Sequence, residues 1–201
     1  MSKLLANFRN TVLLSVVLAL VFVFGYFKHH GAADQIFLQA VLRLIHVFAG
    51  ILWIGLLYYF NFVQIRMMPS IPAELKPAVS KYIAPEALFW FRWAALATWV
   101  AGVLLALSRG YLVDALSLGA TQGFANPGNT FIGVGMWLAT IMFLNVWVFI
   151  WPNQKIALGI VEADADAKAK AGRLAMLFSR TNLLLSIPML ATMAMNQTLF
   201  G

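Results

Sequence analysis

The sequence alternates between five long apolar segments and short polar stretches. The apolar segments cover residues 10–27, 36–64, 86–108, 130–152 and 180–197. As α-helices rising about 1.5 Å per residue, they match the roughly 30 Å of hydrocarbon in a bilayer. Strands of alternating polarity are absent, and backbone groups in lipid must be satisfied within each segment. The pattern predicts an all-α integral membrane protein, a bundle of five transmembrane helices in a single membrane domain, residues 1–201.

The polar stretches predict the connections between these helices. Ser117–Thr130 contains the Gly, Asn and Pro residues that are typical of a loop. Within the connector 153–179, the stretch VEADADAKAKAGR (Val161–Arg173) has helix-forming residues and both charge signs, which predicts a short solvated cytoplasmic helix. The first apolar segment is longer than the roughly 7–15 apolar residues of a signal peptide, so we expect a retained anchor helix.

Composition strengthens the membrane interpretation. Apolar residues make up 62% of the 201 residues and charged residues 10%, against roughly 45–50% apolar residues in soluble domains. The net charge of +7 comes from basic residues in short loops, so we expect the lipid bilayer as a partner and no nucleic acid. With no cysteine, the chain has no disulfides, thiolate metal sites, iron–sulfur clusters or cysteine nucleophiles.

The basic residues also predict an orientation. With five spans, the side of the membrane that holds the N-terminus carries most of them, whereas the other side carries Lys28 and Arg109. The first side holds Lys3, Arg9, Arg66, Lys76, Lys81, Lys155, Lys168, Lys170, Arg173 and Arg180. The positive-inside rule therefore predicts a multi-pass protein of the bacterial inner (cytoplasmic) membrane, with a cytoplasmic N-terminus and a periplasmic C-terminus.

The second apolar segment carries two basic side chains within RLIHVFAGILWIG (Arg43–Gly55). At about 100° per residue, one stripe of the helix holds Arg43, His46, Gly50 and Trp53. A neutral imidazole inside a membrane needs partners for two ring nitrogens. One interpretation is a flat cofactor against Gly50, either a b-type haem with His46 as axial ligand or a quinone. The other is close packing of a neighbouring helix, with His46 hydrogen-bonded across the interface.

A haem held in this way lacks an obvious second ligand. The other two histidines, His29 and His30, follow the first apolar segment, where a solvated loop is expected. A second axial ligand would have to be a methionine or a residue from another subunit. We therefore expect no metal site apart from a haem iron at His46, with Arg43 near a haem propionate.

A second set of polar residues gathers at one depth, toward the predicted cytoplasmic side. Four apolar segments contribute, so these groups can satisfy one another. Its members are Asn61, Gln64, Glu86, Arg92, Asn145, Asn153, Gln154, Arg180 and Asn182. Glu86 and Arg180 are expected to form an opposite-charge pair. The set predicts either a structural network or a polar site for a small molecule or a proton path.

Three sequence blocks in fixed order carry a family resemblance. They are RLIHVFAGILWIGLLYYFNFVQ (Arg43–Gln64), NVWVFIWPNQK (Asn145–Lys155) and SRTNLLLSIPMLATMAMNQ (Ser179–Gln197). Their order and spacing resemble the membrane domain of the cytochrome-c-linked, membrane-bound urate hydroxylases, the urate oxidase N-terminal domain family. The resemblance implies urate oxidation with electrons passing to cytochrome c. Residues matching the family pattern are His46, Asn145, Pro152, Asn153, Gln154, Asn182 and Pro188.

The chain also departs from that family. The family has histidines in the last block where this chain has Thr181 and Gln197, and its enzymes carry a C-terminal cytochrome c with a CxxCH motif. Because the chain has no cysteine, it cannot hold a covalent c-type haem. We therefore expect a short stand-alone form without the cytochrome c domain, whose urate oxidoreductase activity is implied by the resemblance alone.

These observations lead to one main hypothesis and two alternatives. The main hypothesis is a redox-associated membrane protein that takes part in electron transfer, binds haem b or a quinone at His46, and has cytochrome c or other membrane subunits as partners. The first alternative is a non-catalytic accessory subunit that homo-oligomerises or packs in a larger membrane complex. The second is a small transporter that uses Glu86, Asn145 and Arg180.

Overall fold

The computed structural model describes residues 2–30 and 33–200, without the side chain of His30. Every secondary-structure element in these ranges is helical. Five of the helices are long and apolar enough to cross a membrane, which confirms the predicted helical class and number of segments. They are α1 (Phe8–His29), α2 (Gln35–Ser70), α3 (Lys76–Ser108), α4 (Pro127–Ala157) and α5 (Ala165–Phe200).

The chain divides into two compact units. The first consists of α1 and the beginning of α2, up to Ala40. Within this unit the ring of Phe37 lies 5.6 Å from that of Tyr26 and 4.6 Å from that of Phe27. The most apolar stretch of α1 has no buried residue. A helix that is apolar all round and unburied has the surface that lipid contact requires.

The second unit, Val41–Gly201, contains the packed core. Its largest fully buried apolar side chains are Trp53, Leu57, Phe91, Met142 and Val146, which come from α2, α3 and α4. The buried face of α5 consists mostly of small side chains at spacings of three or four residues. Small residues let helices approach closely, which is how helices associate in lipid. This face holds Ala171, Ala175, Ser179, Asn182, Ser186, Met189 and Thr192.

Three of the long helices contain a π-helical segment: Tyr59–Gln64 in α2, Val79–Ile83 in α3 and Asn145–Ile150 in α4. The last two lie directly before Pro85 and Pro152. A proline inside a helix lacks an N–H group and its ring collides with the carbonyl four residues back. A π segment relieves that collision by widening the turn. This is why α3 begins at Lys76 and runs through Pro85, whereas the sequence predicted a start at residue 86.

The connector between α4 and α5 is shorter than the predicted 153–179. It covers residues 158–164, because α4 continues to Ala157 and α5 already begins at Ala165. Gly159 adopts a positive φ of 74° directly after α4, a conformation that commonly ends a helix. The carboxylate of Asp164 accepts a hydrogen bond of 2.7 Å from the backbone N–H of Ala167 and so caps α5. The stretch predicted as a separate helix therefore forms the connector's end and the start of α5.

The segment between α3 and α4 is more ordered than the predicted loop. A short helix, Leu112–Leu116, lies directly before the predicted loop Ser117–Thr130, and Ala120–Gln122 within that loop forms a 3-10 turn. The carboxylate of Asp114 accepts hydrogen bonds from Thr121 Oγ1 at 2.7 Å and Gln122 Nε2 at 2.6 Å. These bonds close the turn back onto the short helix and fix its shape.

Candidate functional site

The imidazole of His46 lies between α2 and α3. Its Nδ1 is 2.8 Å from the backbone carbonyl oxygen of Thr98, and the residue is half-buried. Because a carbonyl only accepts hydrogen bonds, Nδ1 must carry the proton, and the neutral ring then has its lone pair on Nε2. Nε2 makes no hydrogen bond within the described part of the chain. The contact with Thr98 therefore fixes both the orientation and the tautomer of the ring.

Two glycines shape the surroundings of this ring. A Cβ atom at Gly102 of α3 would lie 2.8 Å from Cε1 and 2.9 Å from Nδ1 of His46, so the ring occupies the space that a side chain would need. A Cβ at Gly50 would only make an ordinary contact, 3.7 Å from Thr98 Cγ2. Sequence analysis singled out Gly50 and missed Gly102. The signal for Gly102 was its position one turn after Thr98, but the sequence does not show which helix faces His46.

Arg43 lies one turn before His46 and contacts the other end of the chain. Its Nη1 donates a hydrogen bond of 3.2 Å to Oε1 of Gln197, near the end of α5. Burial raises the pKa of Tyr111 above its ordinary value, and the positive charges of Arg109 and Arg43 partly offset that rise. Arg43 and Arg109 therefore both place positive charge near Tyr111.

Trp53, the fourth residue of the predicted cofactor stripe, is a core residue. Its side chain is 1% exposed, and it packs in the central apolar cluster of the second unit. Its Nε1 has no hydrogen-bond partner among the described residues. The structure thus places His46 and Gly50 against α3, whereas Arg43 contacts α5 and Trp53 lies in the core.

The predicted polar set contains a buried amide pair. Asn145 Nδ2 of α4 donates a hydrogen bond of 2.9 Å to Asn182 Oδ1 of α5, and Asn182 Nδ2 donates one of 3.0 Å to the carbonyl of Met142. Asn182 is 0% exposed and Asn145 is 7% exposed. The Met142 carbonyl lies just before the π segment of α4, where the backbone hydrogen bonds depart from the regular α-helical spacing. The amide of Asn182 gives this carbonyl an additional donor.

A second buried bond joins α2 to α5. Asn61 Nδ2 donates hydrogen bonds of 2.9 Å to the carbonyl of Leu57 and of 2.9 Å to Ser179 Oγ. Sequence analysis missed Ser179. It lies three residues before Asn182, on the same face of α5, and that spacing was the signal that could have identified it.

Close to Ser179, the helices α2 to α5 line a partly open cavity of about 180 Å³, which we call the Gln64 cavity. Its polar lining comprises Gln64, Gln154 and Ser179, and its aromatic lining comprises Phe60 and Phe91. The side-chain oxygen of Gln64 is buried without a hydrogen-bond partner. Polar and apolar groups therefore line the same cavity.

The expected pairing of Glu86 with Arg180 is wrong. Both side chains are exposed, and among the described residues no ion pair joins them. Glu86 Oε1 instead accepts a hydrogen bond of 2.9 Å from Trp90 Nε1 on its own helix. Burying two charges costs more than their attraction returns unless their geometry is very good, so both remain at the periphery. The transporter alternative loses the charged pair on which it depended.

Two further members of the set also lie outside the buried network. The guanidinium of Arg92 lies over the ring of Trp151, with its Cζ atom 3.9 Å from the ring centroid. Asn153 Nδ2 donates a hydrogen bond of 2.8 Å to the carbonyl of Phe149 in its own helix. The predicted set therefore separates into a buried amide network, the Gln64 cavity and peripheral charged groups.

The potential metal ligands are few. Within the described ranges, no group of three or more His, Asp or Glu side chains is arranged to hold a metal ion. Nε2 of His46 could act as an axial ligand of a prosthetic group, because its Nδ1–H is held by a backbone carbonyl, as is usual for ligating histidines.

Together these features define a helical protein with five helices long and apolar enough to cross a membrane. An oriented imidazole lies at one end of its packed unit, and a buried amide network lies toward the other. Residues 106–199 match the family model described as "Urate oxidase N-terminal". This match confirms, over these residues, the resemblance to the urate oxidase N-terminal family. The matched segment includes α4 and α5, while α2 and His46 precede it. No curated protein and no solved structure matches the chain.

Proposed function

We propose that the protein is a urate hydroxylase-like, redox-associated membrane protein in which His46 contacts the redox cofactor, a b-type haem or a quinone. The family match supports the urate hydroxylase-like part of this proposal. The observation that carries the role of His46 is the 2.8 Å contact between Nδ1 and the Thr98 carbonyl. It leaves the Nε2 lone pair available in a fixed direction.

For a haem, this arrangement supplies one axial ligand. His46 would hold the iron through Nε2, and the haem would supply one-electron chemistry. Arg43 uses one of its five N–H donors on Gln197, so the remaining donors can bind a propionate. The second unit contains no other histidine, so a second axial ligand would be a methionine or would come from a partner.

For a quinone, the same nitrogen has a different role. A quinol hydroxyl would donate its hydrogen bond to Nε2, which would hold the quinol ring in a fixed orientation against the helix. The Gln64 cavity is not lined by His46, so the binding surface would be the half-exposed edge of the ring. A quinone from the lipid phase can reach such an edge without an enclosed pocket.

One observation favours the accessory-subunit function instead. The Nδ1 contact of His46 already joins α2 to α3, which is sufficient to explain an imidazole in an apolar helix. Several tryptophans, including Trp90 at 47% and Trp137 at 45% exposure, present apolar surface on the outside of the second unit. On this proposal His46 is a packing residue, and the protein homo-oligomerises through such surfaces.

The two proposals differ in what the purified protein contains. We expect wild-type protein to show a Soret band that shifts on reduction, or to yield quinone on organic extraction. His46→Gln should reduce that content by at least about tenfold, because the fixed Nε2 lone pair is lost. His29→Gln, which alters an exposed imidazole on α1, is the matched control and should retain it. A colourless, quinone-free wild-type homo-oligomer would favour the accessory subunit.

A glycine variant tests the position of the ring without removing it. Gly102→Ala should shift the His46 ring, since the new methyl group would lie 2.8 Å from Cε1. We expect a loss of cofactor and a decrease in the free energy of unfolding of about 1–2 kcal/mol. At Gly55 a Cβ would have nothing within 4 Å, so Gly55→Ala should change neither quantity. Unchanged cofactor content in Gly102→Ala would show that the ring position is irrelevant to binding.

A further inference from the structure

The Gln64 cavity is separate from His46. Gln64 follows His46 by eighteen positions in α2, which corresponds to about 27 Å along a helix. The cavity draws its lining from α2, α3, α4 and α5 of the second unit. Any function of this cavity is therefore additional to the cofactor contact proposed for His46.

The cavity contains an acceptor that has no donor. Oε1 of Gln64 is buried and has no hydrogen-bond partner in the described part of the chain. An unsatisfied buried polar atom destabilises the folded protein. Such a cost persists in a natural protein when the atom has a partner that the isolated chain does not supply. The oxygen of Gln64 can therefore accept a hydrogen bond from a molecule in the cavity that donates one.

The same cavity contains a donor that has no acceptor. Ser179, 7% exposed, accepts a hydrogen bond of 2.9 Å from Asn61 Nδ2, and its own hydroxyl has no acceptor among the described residues. The direction of the Asn61 bond is secure, because the same Nδ2 also binds the Leu57 carbonyl, which can only accept. Ser179 can therefore donate its proton into the cavity that it lines. Together with Gln64 it presents one acceptor and one donor.

The remaining walls favour a flat, uncharged molecule. The rings of Phe60 and Phe91 meet edge to face, with centroids 5.5 Å apart, and the described lining residues carry no charge. Gln154 adds a second side-chain amide. The π segments of α2 and α4 end at Gln64 and Ile150, which both line the cavity. Such segments are frequent at functional sites because they re-aim side chains.

We propose that the Gln64 cavity binds a small, uncharged, planar molecule with an amide-type pairing of one N–H donor and one carbonyl acceptor. The N–H group donates to Oε1 of Gln64, and the carbonyl accepts from the hydroxyl of Ser179. A cavity of about 150 Å³ is known to hold a benzene ring, so about 180 Å³ accommodates one ring with a substituent. Charged molecules are rejected because nothing in the lining compensates their loss of hydration.

A matched pair of probes tests this proposal. Benzamide carries the amide group, and acetophenone has nearly the same shape but a methyl group in place of the N–H donors. We expect benzamide to bind wild-type protein in lipid nanodiscs at least about tenfold more tightly than acetophenone, as one or two hydrogen bonds in a buried site would provide. Binding is measured by thermal shift and by ligand-observed NMR.

Three variants locate the effect. Gln64→Leu keeps the volume but removes the acceptor, so the preference for benzamide should fall to within about twofold, and the unliganded protein should melt no earlier than wild type. Ser179→Ala removes the donor and should also weaken the binding of benzamide. This variant provides the test if Gln64→Leu does not fold. Met68→Leu changes an apolar lining residue and should leave the preference intact.

Other outcomes would overturn the proposal. Equal binding of the two probes by wild type, binding of neither, or an unchanged preference in both Gln64→Leu and Ser179→Ala would show that the cavity does not recognise an amide. His46→Gln should retain the benzamide preference, because the imidazole lies about 27 Å away along α2. If this variant lost the cofactor signal but still bound benzamide, the cofactor contact of His46 and the amide site of the Gln64 cavity would be shown to be independent.

Discussion

Replacing Gly133 with alanine is expected to lower the free energy of unfolding by about 3 kcal/mol, at the upper end of what overpacking costs. A Cβ atom at this position of α4 would overlap the backbone carbonyl oxygen of Ala115. A side chain could rotate away from the new methyl group, but a backbone carbonyl cannot. Ala115 is fully buried, and Trp137 Nε1 holds the neighbouring Leu116 carbonyl at 2.9 Å, so the short helix has little freedom to withdraw.

The measurement is equilibrium unfolding of purified protein, with the yield of folded protein as a second measure. Gly55→Ala provides the control, because a methyl group at Gly55 meets nothing within 4 Å. It should remain within about 0.5 kcal/mol of wild type. If Gly133→Ala were as stable as Gly55→Ala, the segment Leu112–Leu116 would not be held against α4 as described.

Asn182→Ala is expected to be similarly destabilising, by about 2–4 kcal/mol. The side chain is completely buried, and its loss leaves the side-chain donor of Asn145 without its partner. The Met142 carbonyl loses the bond from Asn182 and keeps only a backbone donor. Bonds between helices in lipid contribute about 0.6 kcal/mol on average, but unsatisfied groups and a new cavity add to the loss. Asn153→Ala is the control, because that amide binds the Phe149 carbonyl of its own helix. It should cost less than about 1 kcal/mol.

A double-mutant cycle separates the direct bond from general disruption. Asn145→Ala and Asn182→Ala should together cost about 1 kcal/mol less than the sum of their separate effects, because each removes the same interhelical bond. Additive effects would contradict a direct bond between the two amides. Unfolding of the four proteins under one set of conditions gives the coupling energy.

The helices themselves could be predicted because apolar length is a property of the sequence. The ends of the helices were harder to predict. Pro85 has the appearance of a helix boundary, and only the π segment Val79–Ile83 shows how α3 passes through it. Likewise, the Ala-rich stretch before Arg173 has no strong breaker separating it from the apolar part of α5, so one helix forms where two were expected.

The sequence predicts the depth at which the polar residues of the candidate site lie. It does not predict which neighbouring helix each side chain faces. Residue spacing placed Asn145 and Asn182 at one level, and both are buried. The same reasoning placed Glu86 and Arg180 there, yet both are exposed. The difference arises from which face of each helix meets a neighbour, and a single sequence does not contain that pairing. For the same reason Gly102 and Ser179, whose importance depends on a residue of another helix, were missed.

Arg92 packs against the ring of Trp151 and forms no ion pair with another described residue. This arrangement has a consequence for the stability of the protein at high salt concentration. In the residues described, no ion pair links the helices of the second unit; aromatic rings, amides and small side chains make the contacts. Dissolved ions weaken attraction between exposed charges by screening it and have little effect on such contacts. The second unit should therefore be as stable to unfolding in molar sodium chloride as in dilute buffer. An effect of ionic strength on the protein would then report on the exposed basic loops.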